Sequence, residues 1–326
     1  MSTMTGPAIR ARGLKKRFGE VRAVGGIDIE VSKGELFGFL GPNGAGKTTT
    51  MSMLTGLSRP DAGSIEIGGI DCSRNPKAAQ HLIGVVSDES NLYPELSGFD
   101  NLCFSGALYG MRRQDRSRKA SELLELFGLV DASSRKFSGY SKGMKRRLVI
   151  AAAIMHSPPL LFLDEPTSGI DVESSRMIRQ LLTGLHRQGV TIFLTTHFIG
   201  EAERLCDRIA FIASGRIVRT DTVERLLQPV QGRYALTVSL SGGCPIPLGE
   251  LEVAFPGLDF QLQAPDELRV ESGEPLKAGS LVRFLEDRGV EVIEARKRVL
   301  SLEDVFVEIT GIGAGSMLKE KEGRWR

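Results

Sequence analysis

Gly41-Pro42-Asn43-Gly44-Ala45-Gly46-Lys47-Thr48-Thr49 is a glycine-rich loop set between an apolar run and a segment of helical character. The preceding Leu36-Phe37-Gly38-Phe39-Leu40 reads as a buried strand, and Thr49–Leu54 suits the opening turns of a helix. Strand, GxxxxGK[ST] loop and helix together make a phosphate-binding P-loop. The glycines let backbone N–H groups curl around an anion, and the helix start adds its partial positive charge. Lys47 is expected to reach the β- and γ-phosphates of a nucleotide, and the Thr48 hydroxyl to ligate Mg2+.

Further along, Leu160-Leu161-Phe162-Leu163 is a second apolar strand, and it ends in the tandem acids Asp164-Glu165. Asp164 is placed to hold Mg2+ opposite Thr48, and Glu165 to orient or deprotonate an attacking water. A third apolar run, Thr191-Ile192-Phe193-Leu194, leads into Thr195-Thr196-His197. A strand-end histidine in a P-loop sheet faces the γ-phosphate edge. Ser168-Gly169-Ile170-Asp171, between them, reads as a turn and helix cap. Tyr140-Ser141-Lys142-Gly143-Met144-Lys145-Arg146-Arg147-Leu148 opens a helix that continues to Met155. Ser141 is its N-cap, and Gly143 permits close backbone approach. Basic residues in that first turn oppose the helix dipole, so another interaction must favour them.

In this order and spacing the chain resembles the nucleotide-binding subunits of ABC transporters, from about Ala8 to Leu227. Phe18 matches the aromatic residue on which that family stacks adenine. Gly41–Thr49 matches the Walker A loop, Leu160–Glu165 Walker B, Ser168–Asp171 the D-loop, and His197 the switch histidine. Tyr140–Met144 sits where the family signature belongs. It reads YSKGM instead of the usual LSGGQ, a form similar to subunits of drug and polysaccharide exporters. The resemblance implies that Ser141, Lys142, Gly143, Met144 and Asp171 meet ATP held by a second subunit. Asp88, in Ile83–Pro94, falls at the place of the family's Q-loop glutamine. An aspartate there still accepts from a metal-bound water, but it is shorter and charged.

The fold class so implied is α/β: a P-loop NTPase of ABC type, with a mainly parallel core sheet, an antiparallel β edge and a helical subdomain. The implied ligands are ATP and Mg2+. The implied partners are a second nucleotide-binding subunit, identical or different, and a membrane-spanning permease on a separate chain. The protein is expected at the cytoplasmic face of the membrane, driving export. A soluble ATPase acting on ribosomes or DNA is the alternative, against which count the single P-loop and the lack of a heptad run. Import is a further alternative, because direction is not written in the nucleotide domain.

Composition agrees with this frame. The 326 residues suffice for one large domain and a small one, and 41% hydrophobic with 25% charged residues is the balance of a globular protein. A net charge of +2 gives no bulk electrostatic case for nucleic-acid binding. The basic clusters Met111–Lys119 and Lys142–Arg147 are candidate phosphate or lipid contacts, the first reading better as a solvated helix face. Cys72, Cys103, Cys206 and Cys244 show no CxxC or zinc spacing and read as reduced thiols. Met1–Pro7 lacks the apolar region of a secretory leader, and the apolar stretch Leu148–Leu163 is broken by His156, Pro158 and Pro159.

The resemblance implies an ATPase domain over 1–228, with a helical subdomain over about 97–157. Residues 8–12, 27–31 and 64–67 read as the β edge, and 36–40, 83–86, 160–164, 191–195 and 209–213 as the central strands. A small α+β accessory domain is predicted over 229–312, with strands at 233–240, 251–254, 259–263, 267–271 and 290–295. Leu281–Leu285 reads as a short helix there, and Ser301 as the cap of a final one. Residues 313–326, which hold the only tryptophan, Trp325, are predicted to be a disordered tail.

Overall fold

The computed structural model describes residues 6–88 and 91–312, so the predicted tail and Trp325 lie outside the described residues. The chain forms two compact units. One extends to Val223 and takes up the chain again at Ile309; the other is Glu224–Glu308.

The first unit is organised by a six-stranded sheet, in the order Arg216–Thr222, Arg208–Ala213, Leu36–Leu40, Thr191–Thr196, Leu160–Asp164, Ile83–Val86. All neighbours run parallel except the edge strand Arg216–Thr222, which is antiparallel. Leu36–Leu40, Leu160–Asp164 and Thr191–Thr196 are buried at every position. Strands covered on both faces carry continuous apolar runs, which is why these three were readable without alternation. Phe193 is the packing centre: its ring lies 5.7 Å from that of Phe37, 5.6 Å from Phe39 and 5.5 Å from Phe162. Parallel register pairs Leu40 with Thr196 and Thr195 with Asp164, so the carboxyl ends of three strands share one edge. Ligands of open α/β sheets bind at that edge.

The predicted β edge is a four-stranded antiparallel sheet built on Ile9–Phe18, Val21–Val31, Ala62–Ile67 and Ile70–Asp71. Gly25 N–H donates to Gly215 O at 2.8 Å and ties it to the turn between the last two strands of the central sheet. The helices Gly98–Leu108, Arg113–Leu126 and Lys142–Ala153 follow the strand Ile83–Val86, and Leu123, Leu124 and Phe127 are buried on one face as their spacing predicts.

The second unit is a four-stranded antiparallel sheet in the order Leu258–Ala264, Glu267–Ser272, Tyr234–Leu240, Val292–Val299. Leu236, Val238, Phe260, Leu268 and Val270 pack with Leu251, Leu281 and Leu285 from its helices, giving the βαββαβ plan of a split βαβ unit. Residues 251–254, predicted as a strand, lie instead in the helix Leu248–Ala254. Leu251 is fully buried and Val253 is 82% exposed, a difference that strand alternation cannot produce for two residues of one parity. The apolar spacing that matters is Leu248, Leu251 and Phe255, all packed in the core of this unit. The last strand runs on to Val299 through Arg296-Lys297-Arg298, and charge on an exposed edge strand guards it against pairing with other chains. Ser301 heads the final helix, its N–H donating to Asp304 Oδ2 at 2.8 Å, one half of a capping box.

Candidate functional site

Two glycines of the loop are required by sterics. A Cβ on Gly41 would lie 2.2 Å from Ile212 O, and one on Gly46 would lie 2.5 Å from Ala23 O. Gly46 also has φ +104°, a backbone conformation that other residues rarely adopt. Ala45 is buried behind the loop, its N–H donating to Pro42 O at 3.2 Å and its carbonyl accepting from Gly215 N–H at 3.0 Å. The helix Lys47–Leu54 then starts directly at the loop. Lys47 is only 6% exposed, and its Nζ donates to Gly41 O at 2.8 Å and Pro42 O at 3.2 Å. It also lies 3.4 Å from Glu165 Oε1. Burial pulls the Lys47 pKa down, while the charges of Glu165 and Asp164 pull it back.

Asp164 is 2% exposed and accepts hydrogen bonds from the hydroxyls of Thr195 and Thr48. Burial pushes its pKa up, and the two hydroxyls work against that rise. Glu165 turns out of the strand with φ +48°, in the left-handed region that bulky residues avoid. Its N–H donates to Thr195 O at 3.0 Å. Its Oε2 is 2.7 Å from His197 Nδ1. Burial alone would raise the pKa of Glu165; the hydrogen bond with His197 and the charge of Lys47 outweigh it and hold the carboxyl below its ordinary value.

A cavity of 340 Å³ collects Asn43, Gly44, Gly46, Lys47, Thr48 and Thr49 from the loop with Asp88, Asp164, Glu165 and His197, and Val21–Ala23 form part of its rim. Gly41, Pro42 and Ala45 are not among the lining residues. Phe18 ends the strand Ile9–Phe18 at 54% exposure, with Lys16 Nζ 5.5 Å above its ring, and is not among the lining residues. The signature residues do not reach this cavity within one chain. Ser141 caps the helix Lys142–Ala153 by accepting from Met144 N–H at 3.3 Å. Gly143 is buried against Ser174, and Asp171 caps the helix Val172–Arg187 by accepting from Ser174 N–H at 2.8 Å. Lys142 instead borders a second cavity, together with Ser168, Gly169 and Ile170.

The basic run Lys142–Arg147 divides in a way the sequence did not reveal. Arg147 Nη1 turns inward and donates to Phe127 O at 2.7 Å. Arg146 Nη1 donates to Ser87 O at 2.7 Å and its Nη2 to Glu165 O at 2.9 Å, with Asp88 Oδ1 at 3.4 Å. These two arginines are internal donors, so only Lys142 and Lys145 of the run remain as candidate phosphate or lipid contacts. Both arginines lie in the second turn of the helix, past the reach of its dipole, so the sequence carried no signal that sets them apart from Lys142 and Lys145.

Comparison with known proteins agrees with this geometry. A family model described as ABC transporter matches residues 24–168. The linearmycin resistance ATP-binding protein of Bacillus subtilis (strain 168) is 41% identical over 72% of this chain and 75% of its own length. The Nod factor export ATP-binding protein I of Burkholderia lata is 36% identical over 92% of this chain and 96% of its own length. Among solved structures, a dimeric ATP-binding cassette in a post-hydrolysis state bound to ADP and Pi is 26% identical, with a TM-score of 0.61, over 66% of this chain and 98% of that one.

Proposed function

The chain belongs to the ABC transporter family, and on that premise we propose that it is the ATP-hydrolysing subunit of an exporter whose membrane-spanning permease is a separate chain. One observation carries the hydrolytic part. Lys47, Glu165 and His197 stand in contact on one cavity wall, with Glu165 3.4 Å from Lys47 and 2.7 Å from His197. Export rests on the printed name of the Nod factor relative, whose likeness extends over 92% of this chain. No described helix is long and apolar enough to cross a membrane. The separate permease rests on the Nod factor relative, named an ATP-binding protein and matched over 96% of its own length.

In this reading the loop amides of Gly41–Thr49 and Lys47 hold the β- and γ-phosphates, and adenine lies against Phe18. Thr48 and Asp164 fit a Mg2+ ion, since they offer adjacent hard oxygen donors and Asp164 is a buried carboxylate with no cationic partner within salt-bridge distance among the described residues. When bound, the ion neutralises phosphate charge. Asp88 would add a water-mediated contact. The Glu165 carboxylate takes a proton from water while the water oxygen bonds to the γ-phosphorus and its bond to the β–γ bridging oxygen breaks, giving ADP and inorganic phosphate. His197 holds Glu165 in place and donates toward the transferring group.

Ser141, Lys142, Gly143, Met144 and Asp171 lie off the cavity in one chain, and a second copy or a related subunit would bring them to the γ-phosphate from across a dimer. Residues 1–228 form the motor in this scheme, 229–312 an accessory domain, and the protein works at the cytoplasmic face of its permease.

The test uses tagged Glu165→Gln protein in detergent-solubilised membranes. An ATP-dependent dimer with little turnover, co-purifying with a multi-spanning membrane protein, is expected. Wild-type turnover by Glu165→Gln would refute the role of that residue. Recovery with ribosomes or DNA-bound proteins alone would refute the exporter reading.

A further inference from the structure

Arg146 sits in the second turn of the helix Lys142–Ala153, yet its side chain is only 9% exposed. One guanidinium holds two separate backbone segments: Ser87 O at 2.7 Å, at the end of the strand Ile83–Val86, and Glu165 O at 2.9 Å. The second carbonyl belongs to the residue in the left-handed conformation, and it also accepts from Ser168 N–H at 3.1 Å. Two donors on that oxygen fix the peptide that aims the Glu165 side chain. Planar, forked donation of this kind is available to arginine and not to lysine.

The same guanidinium faces Asp88 at 3.4 Å. Asp88 lines the cavity with Asp164 and Glu165, which places a third carboxylate where a polyphosphate is to bind. Arg146 and Asp88 together carry no net charge. Without Arg146, an uncompensated carboxylate would face the terminal phosphate; the Asp88 side chain is 55% exposed, so the repulsion is screened by solvent but still acts against the added charge. ADP, which lacks that phosphate, feels the change less.

We propose that Arg146 is a positioning residue with two functions: it neutralises Asp88 on the γ-phosphate side of the cavity, and it fixes the Glu165 backbone. The Asp88–Arg146 pair thereby occupies the place where the resemblance puts a neutral glutamine. The inference rests on the ATP-hydrolysis reading above.

Calorimetric titration of the full-length chain with a non-hydrolysable ATP analogue and with ADP, both with Mg2+, tests it. Arg146→Gln should weaken the analogue about tenfold more than ADP. Adding Asp88→Asn to Arg146→Gln should restore the wild-type ratio of the two affinities. Asp88→Asn alone, which leaves the arginine charge unopposed, should tilt the ratio toward the analogue. Arg146→Lys should keep the ratio near wild type but lower kcat, because it retains charge and loses the fork to Glu165 O. Equal weakening of both ligands by Arg146→Gln, or a double variant no better than the single, would overturn the proposal. A wild-type chain that binds neither ligand would overturn the ATP reading itself.

Discussion

Gly143→Ala separates two reasons for a glycine at that position. An ideal Cβ there would lie 2.0 Å from Ser174 Oγ, 2.6 Å from Ser174 Cβ and 3.4 Å from Asp171 Oδ2. Rotating the hydroxyl relieves the first contact but not the second. Ser174 is anchored, because its N–H donates to Asp171 Oδ1 at 2.8 Å in the cap of its helix. Carbon atoms prefer separations of about 3.5–4.0 Å, so the helices Lys142–Ala153 and Val172–Arg187 must move apart by roughly 1 Å. Overpacking of this kind costs about 1–3 kcal/mol, which in a domain of this size lowers Tm by about 3–10 °C. Ser174→Gly removes both offending atoms and should recover most of that loss, less about 0.5–1 kcal/mol for glycine in a helix. Calorimetry measures Tm, and light scattering in the Glu165→Gln background measures ATP-dependent dimerisation. A Gly143→Ala protein as stable as wild type, or one that Ser174→Gly fails to rescue, would refute the packing argument. If the rescued double variant is stable yet no longer dimerises with ATP, Gly143 also meets the nucleotide across the dimer. If it dimerises normally, that contact is ruled out and packing alone explains the glycine.

Two further perturbations follow from buried groups. His156 stacks on Tyr109 with ring centroids 3.5 Å apart, its Nε2 lies 3.1 Å from Ile83 O, and its Nδ1 is buried with no partner among the described residues. Burial pushes its pKa below 6.5, Ile83 O opposes the fall, and nearby His81 adds to it. The unfolded chain therefore takes up the proton first, so the stability His156 contributes is full above 6.5 and is lost as pH falls toward its folded value. Between about pH 7.5 and 5.5, urea unfolding should show wild type losing stability relative to His156→Phe, and parallel profiles would refute this. Leu285→Ala, at a fully buried position in the core of the second unit, should cost about 2–5 kcal/mol by denaturant unfolding and leave the affinity for ATP unchanged; a change in that affinity would refute the separation.

The central sheet was legible because its strands are apolar on both faces and end in residues whose chemistry marks their direction. Leu36–Leu40, Leu160–Asp164 and Thr191–Thr196 could be read singly, and each ends in a recognisable loop, acid pair or histidine. The accessory unit offered no such anchors. A four-residue window at 251–254 does not separate period 2 from period 3.6, and the helix became evident only with Leu248 and Phe255 included. Lys47, Glu165 and His197 were legible for the same reason as the strands. Arg146 was not, because its partners Ser87 and Glu165 are distant in sequence and meet it only when the helix Lys142–Ala153 packs beside both strand ends.

Glu165 is held by strand register, by backbone contacts and by the side chains of Lys47 and His197 at once. Register sets its position: Asp164 pairs with Thr195, and Glu165 N–H then donates to Thr195 O at 3.0 Å. Its carbonyl is held by Arg146 and Ser168, and its carboxylate lies between Lys47 and His197. With backbone donor, backbone acceptor and carboxylate all engaged, the left-handed turn is held from three directions, which is what allows a strained residue to persist. Lys47 Nζ divides itself among Gly41 O, Pro42 O and Glu165 Oε1, and a phosphate group in the loop would compete for it. Phosphate binding would therefore weaken the hold of Lys47 on Glu165, the smaller of the two restraints on its basicity, and leave the His197 hydrogen bond as its orienting contact. In this scheme the carboxylate gains strength as a base when a phosphate occupies the loop, so turnover is tied to occupancy by one lysine.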